Sequence, residues 1–269
     1  MSVEIENLKK DAHMRTFTDS NMTIWWIIVY LLPIIASVIW AVVFVSVLIS
    51  YIISLIPLPP TPEQLPAFPW SPLLSAATAG LYLTAIATFI LYIILIYRLV
   101  KRRNHHFRRQ ILLFEDITAT IRKTTTKKGI DAEFDLAPLD RTLREIKAEE
   151  TESEKSAMLW AILSPTGLTQ LYVWYFLMKD FSKHERREDT FWTEISKILN
   201  KAGVNFEVPA RTNPLLERSF ALYLILTIIT AGLFGIYWLY TLLNDPNIHF
   251  RYHTKIEDQI LPILESSLA

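Results

Sequence analysis

Among the 269 residues of this chain, the six histidines are the side chains best suited to hold a metal, and three recur at one spacing. His106, His184 and His249 each stand nine residues after a tyrosine (Tyr97, Tyr175, Tyr240). Each is followed two residues later by an arginine: Arg108, Arg186 and Arg251. Three imidazoles at equivalent positions of three similar helices could converge on a pseudo-threefold axis as a three-histidine metal or haem site. The competing use is structural. Each histidine opens an apolar helical stripe beside a membrane interface, where an imidazole packs or caps more often than it ligates. His105-His106 and His249-x3-His253 add local density without matching a known ligand motif. The sequence is therefore read as carrying no metal ligand set and no cofactor.

The arginines have a simpler use. At a cytoplasmic interface they would pair with an acid of a neighbouring segment, Glu115, Glu194 or Asp258, or bind the phosphate of an anionic lipid headgroup. Tyr175 and Tyr240, with Tyr172, Trp174, Tyr237 and Trp238, fit an aromatic belt at the membrane surface. Thr166, Thr169 and Gln170 are polar groups in an apolar block, so they are candidates for solute contact or for satisfying backbone freed by Pro165. There is no phosphate-binding glycine loop, dinucleotide motif, nucleophile elbow or HExxH pair, and no cysteine, so nothing supports an enzyme.

These side chains sit in a chain built for a bilayer. Half of it is hydrophobic (51%), gathered into blocks at 22–56, 73–100, 157–178 and 219–243 with charged stretches between. Apolar runs of about 20 residues read as membrane segments, whereas soluble amphipathic elements alternate. Net charge is zero, so no basic field for nucleic acid exists. Apart from Arg98 near the end of the second block, the blocks carry no charge, which argues against a proton pump or voltage sensor.

Charge sets the expected topology. Met22–Ile56 would be a long first span, capped by Thr18, Asp19 or Ser20 and kinked near Pro33. Residues 57–72 hold seven prolines and one charge, Glu63, and would turn back outside the cell. Lys101, Arg102, Arg103, Arg108 and Arg109 follow the second block, which places the N-terminus and 101–156 in the cytoplasm of a multi-pass plasma-membrane protein. Within the latter, 101–128 is basic and 131–154 acidic, with Pro138 read as the first residue of a helix carrying Leu139, Leu143 and Ile146 on one side.

The histidine spacing extends into a threefold repeat. Apolar residues follow each histidine at seven (Leu113, Phe191, Ile256), eleven (Ile117, Ile195, Ile260) and fifteen (Ile121, Leu199, Leu264). Those offsets share one helical face, so each copy reads as a membrane segment followed by an amphipathic helix on the cytoplasmic interface. Gly129-Ile130 and Gly203-Val204 end the first two helices as glycine caps. The divisions expected are 1–71 (N-terminal segment, first span and proline-rich loop), 72–155, 156–214 and 215–269 (the three copies). The last two apolar blocks are broken, by Ser164-Pro165-Thr166-Gly167 and by Thr230-Ala231-Gly232 with Gly235. Basic residues flank both blocks on both sides, which favours re-entrant hairpins over kinked spans.

The fold class expected is thus an all-α integral membrane protein, with two full transmembrane helices and two broken membrane segments. The segment Thr230-Ala231-Gly232-Leu233-Phe234-Gly235-Ile236-Tyr237-Trp238 resembles a family of uncharacterised prokaryotic membrane proteins known only as a domain of unknown function. With His249-Phe250-Arg251 it looks like archaeal members. The resemblance covers about 215–269, and 156–200 more loosely; it implies a membrane location and no activity. The function expected is a non-enzymatic scaffold or membrane-shaping protein in contact with the bilayer, as a homo-oligomer or part of a complex. A transport component using Thr166, Thr169 and Gln170, and a metal or haem protein using the repeated histidines, are the alternatives.

Overall fold

The computed structural model describes residues 3–55, 72–131, 133–149 and 153–268. The proline-rich turn expected over 57–72 lies outside the described residues save for Pro72. The described chain is helical throughout, without strands: α1 (Val3–Thr18), α2 (Ile28–Leu55), α3 (Pro72–Lys127), α4 (Glu133–Ala148), α5 (Ala157–Leu163), α6 (Leu168–Lys201), α7 (Phe220–Ile229) and α8 (Phe234–Leu268). Two apolar stretches, Ile24–Ser54 and one within α3, are long and apolar enough to cross a membrane.

The chain divides into two compact units, Trp25–Leu95 and the remainder, Met1–Ile24 with Ile96–Ala269. In the first, α2 exposes Val38, Ile39, Val42 and Ile53 and α3 exposes Tyr82, Leu83 and Ile86. Surfaces so apolar suit lipid rather than water. Trp40 donates its indole N–H to Thr78 Oγ1 at 3.1 Å, tying α2 to α3.

The second unit is a helical bundle with its own core. All nine stripe residues, Leu113, Ile117 and Ile121 of α3, Phe191, Ile195 and Leu199 of α6, and Ile256, Ile260 and Leu264 of α8, are buried together in one cluster. Ile5 and Leu8 of α1 and Leu136, Leu139 and Ile146 of α4 join it. Each such side chain contributes roughly 1.5–3 kcal/mol by leaving water. Here the structure departs from the expectation of separate amphipathic helices lying on a membrane surface. The charged segments are continuous with the apolar ones in α3, α6 and α8: no proline or glycine stands at the junction in α3 or α6, and α8 runs on through Pro246. Their apolar faces are used up on one another. Helix α4 also begins earlier than expected, at Glu133 with Pro138 inside it.

The ends of α3 and α6 follow glycine-capping physics. Gly129 (φ 67°) and Gly203 (φ 71°) take the left-handed conformation. The next amides reach back five residues, Ile130 N to Thr125 O at 3.0 Å and Val204 N to Leu199 O at 2.8 Å.

The breaks in the last two apolar blocks are reversals of chain direction. Gly167 (φ 86°) separates α5 from α6, and Trp160 packs back on Tyr172 with ring centroids 5.0 Å apart. Ala231 (φ 50°) and Gly232 (φ 94°) separate α7 from α8. Phe220 meets Trp238 at 5.4 Å and Tyr223 meets Phe234 at 5.1 Å, the pairing of an antiparallel hairpin. Pro246 lacks the N–H that Leu242 O would accept within α8. Arg102, buried on α3, supplies the donor instead, at 3.0 Å, and a second bond to Asn247 Oδ1 at 2.9 Å. This fixes the part of α8 from which His249 projects.

Candidate metal centre

Just beyond the ends of their apolar stretches, α3, α6 and α8 face one another with polar side chains. His106, His184 and His249 are each 1% exposed or less, so the three equivalent histidines do converge. Helical periodicity adds the residue four further on in each case, since i and i+4 share a face. Those residues are Gln110, Glu188 and His253, all fully buried.

One nitrogen of each of His106, His184, His249 and His253 lies within 4.8 Å of the others. His249 Nε2 is 3.1 Å from His106 Nε2 and 3.1 Å from His253 Nε2. Two nitrogens bound tetrahedrally to one ion at ~2.0–2.1 Å would be ~3.3 Å apart, close to what is seen. Glu188 enters the same space. Its Oε1 is 2.6 Å from His253 Nε2 and 3.4 Å from His184 Nε2, while Oε2 is 3.5 Å from His249 Nε2. Glu188 Oε1 is buried and accepts no well-aligned hydrogen bond among the described residues. It is a donor atom directed at the centre.

The opposite edges of the rings are held from outside. His106 Nδ1 donates to Asp19 Oδ1 at 3.0 Å, and His249 Nδ1 to Glu185 Oε2 at 3.1 Å. His253 Nδ1 is bonded to Gln110 and stands 3.4 Å from Glu257 Oε1. On His106 and His249 a carboxylate at Nδ1 selects the tautomer whose Nε2 lone pair is free and raises its basicity, whereas the Gln110 amide N–H donated to His253 Nδ1 leaves the proton on His253 Nε2, facing Glu188 Oε1 at 2.6 Å. The carboxylates are anchored in turn. Arg109 donates to Asp19 Oδ2 at 2.7 Å and to Glu257 Oε1 at 2.8 Å. Arg211, from the loop between α6 and α7, reaches Glu185 at 3.2 Å, Glu188 at 3.3 Å and Asp189 at 2.8 Å.

A family model described as a domain of unknown function (DUF4234) matches residues 218–264. That stretch is α7 with most of α8, so it contains His249, His253 and Glu257. It fits the resemblance to an uncharacterised family noted in the sequence. No curated protein and no solved structure matches the chain.

The electrostatics of the cluster follow from its dryness. Phe107, Phe181 and Phe250 pack against it, with Phe250 4.7 Å from His106 and Phe107 stacked on His184 at 4.4 Å. Burial alone would raise the Glu188 carboxyl. The imidazoles of His253, His184 and His249 outweigh this and hold it well below the usual carboxylate range. His249 is driven the other way, well below the ordinary histidine value, by burial against the pull of Glu188. For His253, burial is outweighed by Glu188 and Glu257, and its value rises. Asp19, Glu185, Glu188 and Glu257 are four buried carboxylates facing two buried guanidiniums, Arg109 and Arg211. Arg15 adds a third, partly exposed guanidinium 3.6 Å from Glu257, and a proton on His253 would pair with Glu188 at 2.6 Å.

The structure separates the other expected site residues from this centre. Arg108, Arg186 and Arg251 are exposed, because a residue two positions on points some 200° round the helix. Arg186 pairs with Glu217 at 2.6 Å. The acids expected for such pairing are engaged elsewhere: Glu115 with Lys147, Glu194 with Lys197, and Asp258 with Arg15. Tyr97, Tyr175 and Tyr240 stay on their own helices, about 13 Å of helix away from the histidines. Tyr97 lies under Lys101, Tyr175 against Phe220 and Tyr240 beside Tyr237. Thr166 and Thr169 stand 2.7 Å apart and both reach Leu163 O, so one donates to that carbonyl and the other to it or to its neighbour, closing the turn after α5. Those hydroxyls serve the backbone, and Gln170 lies beside them on α6.

Asp19, Glu185, Glu188, Glu257, Arg109 and Arg211 are residues that sequence reasoning did not single out as a site. Asp19 was expected to cap the first span, but it is committed to His106 and Arg109. The available signal was the position four after each repeated histidine, polar in every copy within an otherwise apolar face.

Proposed function

We propose that this protein is a membrane-anchored, non-enzymatic metalloprotein, in which one divalent first-row transition-metal ion clamps α3, α6 and α8 together. His106 and His249 would supply Nε2 ligands, Glu188 an oxygen and His184 a further nitrogen, and His253 would join them once the Gln110 amide turns its oxygen to Nδ1 and the ring proton moves there. The reading rests on one observation: imidazole Nε2 atoms and a carboxylate oxygen converge in a dry space while their outer edges are held by carboxylates. Lone pairs brought together this way repel unless a proton or a metal cation lies between them, and one metal ion would serve all of them at once. A nitrogen-rich, sulfur-free donor set suits zinc, iron(II) or a neighbouring ion over magnesium or calcium. A closed set of protein ligands suits an ion that holds structure rather than one that turns over substrate.

The membrane part of the proposal keeps the expected topology: a multi-pass protein with the bundle cytoplasmic, three copies of one unit, and α5–α6 and α7–α8 dipping into the bilayer and returning. Its support is the exposed apolar tips of those hairpins, Leu168, Ile228, Ile229 and Leu233. Metal analysis of protein purified in detergent, followed by titration of the chelated form with Zn2+ or Fe2+, tests the central claim. About one ion per chain is expected, with loss on His249→Ala. Protein that neither retains nor takes up any of these ions would overturn it.

A further inference from the structure

Beside the histidine cluster lies a pocket of about 270 Å³ whose lining includes Arg211, Thr212, Asn213, Arg251, Tyr252 and Lys255. Its lining contains three cationic side chains and no carboxylate. Arg211 is engaged on its far side. Its Nε, Nη1 and Nη2 are directed at Asp189, Glu185 and Glu188, and its plane stacks on Tyr252, 3.6 Å from the ring centre. A guanidinium has five N–H donors, so those three contacts leave two uncommitted, and Arg211 lines the pocket as well. Arg251 and Lys255 differ: among the described residues neither makes an ion pair. They stand four apart on one face of α8, a like-charge spacing that costs a helix a few tenths of a kcal/mol unless an anion lies between them. Pro209 and Pro214 restrict the loop that carries Arg211, Thr212 and Asn213, so the polar wall opposite is held in place.

We infer that this pocket binds a soluble phosphate-type oxyanion between Arg251 and Lys255, with Arg211 as the third cation. Its volume lies below the usual range for drug-sized ligands, as a small anion requires. A lipid headgroup offers the same chemistry, and distance decides between the two sources. The apolar stretch of α8 ends at Leu243, eight residues before Arg251 and twelve before Lys255. At 1.5 Å per residue the cations stand about 12–18 Å beyond it, whereas the headgroup layer is roughly 5–8 Å thick. The site is therefore placed for a solute. Arg211 touches both the pocket and Glu188, so an anion there would draw on the same guanidinium that anchors the metal cluster. The inference rests on the pocket and needs the ion only for that coupling.

Equilibrium dialysis of the full chain against radiolabelled inorganic phosphate, in nanodiscs of neutral phosphatidylcholine, tests it. The measurement is made on chelated and on metal-loaded protein, which separates failure of this site from failure of the metal reading. Saturable binding of about one phosphate per chain is expected in both. The double variant Arg251→Ala/Lys255→Ala should weaken it at least tenfold, with metal content unchanged. Absence of saturable binding, or equal binding by the double variant, would overturn the inference. So would a double variant that loses only its affinity for phosphatidylglycerol vesicles, since that result assigns the cations to lipid.

Discussion

Asp19→Asn is the substitution that most directly separates a metal centre from a buried hydrogen-bond network. Asp19 touches no ion in the proposed centre. It holds His106 through Nδ1 at 3.0 Å and Arg109 through Nη2 at 2.7 Å. Asparagine keeps the shape but removes the charge that orients the ring and raises its basicity. Loss of such an outer carboxylate costs metal affinity about 10–100-fold. Taking a 30-fold loss, protein held at an ion concentration 100 times the wild-type dissociation constant would fall to about three times that of the variant. Stabilisation by bound ion then drops from about 2.7 to about 0.9 kcal/mol. For a chain of this size, each kcal/mol moves Tm by roughly 2–4 °C. Added ion should raise the wild-type Tm by about 5–11 °C and that of Asp19→Asn by only about 2–4 °C. Scanning fluorimetry in detergent, with chelator and with ion, reads both shifts. Equal shifts in the two proteins would refute the role given to Asp19, and no shift in either would refute the centre itself. Arg108→Ala, on the exposed face of α3, is the control and should match wild type.

Two further outcomes follow from the same geometry. Burial, with Asp116 close by, pushes the Asp11 carboxyl up to about 7. Its unfolded counterpart ionises near ~4, so the folded state loses stability between about pH 4 and pH 7 and does not regain it above. Asp11→Asn should therefore stabilise the bundle by about 1–2 kcal/mol at pH 8, after allowance for screening, and by nothing below about pH 4; thermal melts across that range would read it. A cysteine placed at Asn205, exposed after α6, should react with a permeant maleimide but not with an impermeant one added to intact cells. Labelling from outside would discard the hairpin topology in favour of spanning helices.

How much of this was legible in the sequence depends on which physics each residue obeys. The apolar stripes at seven, eleven and fifteen after each histidine were readable because burial imposes a period on residue type, and all nine residues are in one core. The glycine ends of α3 and α6 were readable because the left-handed conformation narrows the choice of residue. What the stripes pack against was not readable. An amphipathic face suits a lipid surface and a helix bundle equally, and only the partner helices distinguish them. The centre was half visible for a related reason. Convergence of His106, His184 and His249 follows from the shared spacing, whereas the sequence favoured packing over ligation because each histidine opens an apolar stripe and no helix carries a ligand motif with an acid pattern. The support comes from elsewhere: Asp19 from the end of α1, Arg109 from α3, and Arg211 from a loop. These contacts join residues up to 148 positions apart, as in Arg109 and Glu257, and sequence periodicity carries no information at that range. The grouping of each histidine with the arginine two positions on illustrates the converse. Fixed spacing made them look like one motif, yet two residues of helix turn them to opposite faces. The histidine belongs with the residue four positions on, and at that position the three helices differ, as Gln110, Glu188 and His253. A buried polar interior has reason to differ there: three identical acids would overcharge the space, and three identical amides would leave the imidazoles without a counter-charge. One carboxylate, one imidazole and one amide there, with the outer carboxylates set against Arg15, Arg109 and Arg211, keep the buried charge low enough for the helices to pack.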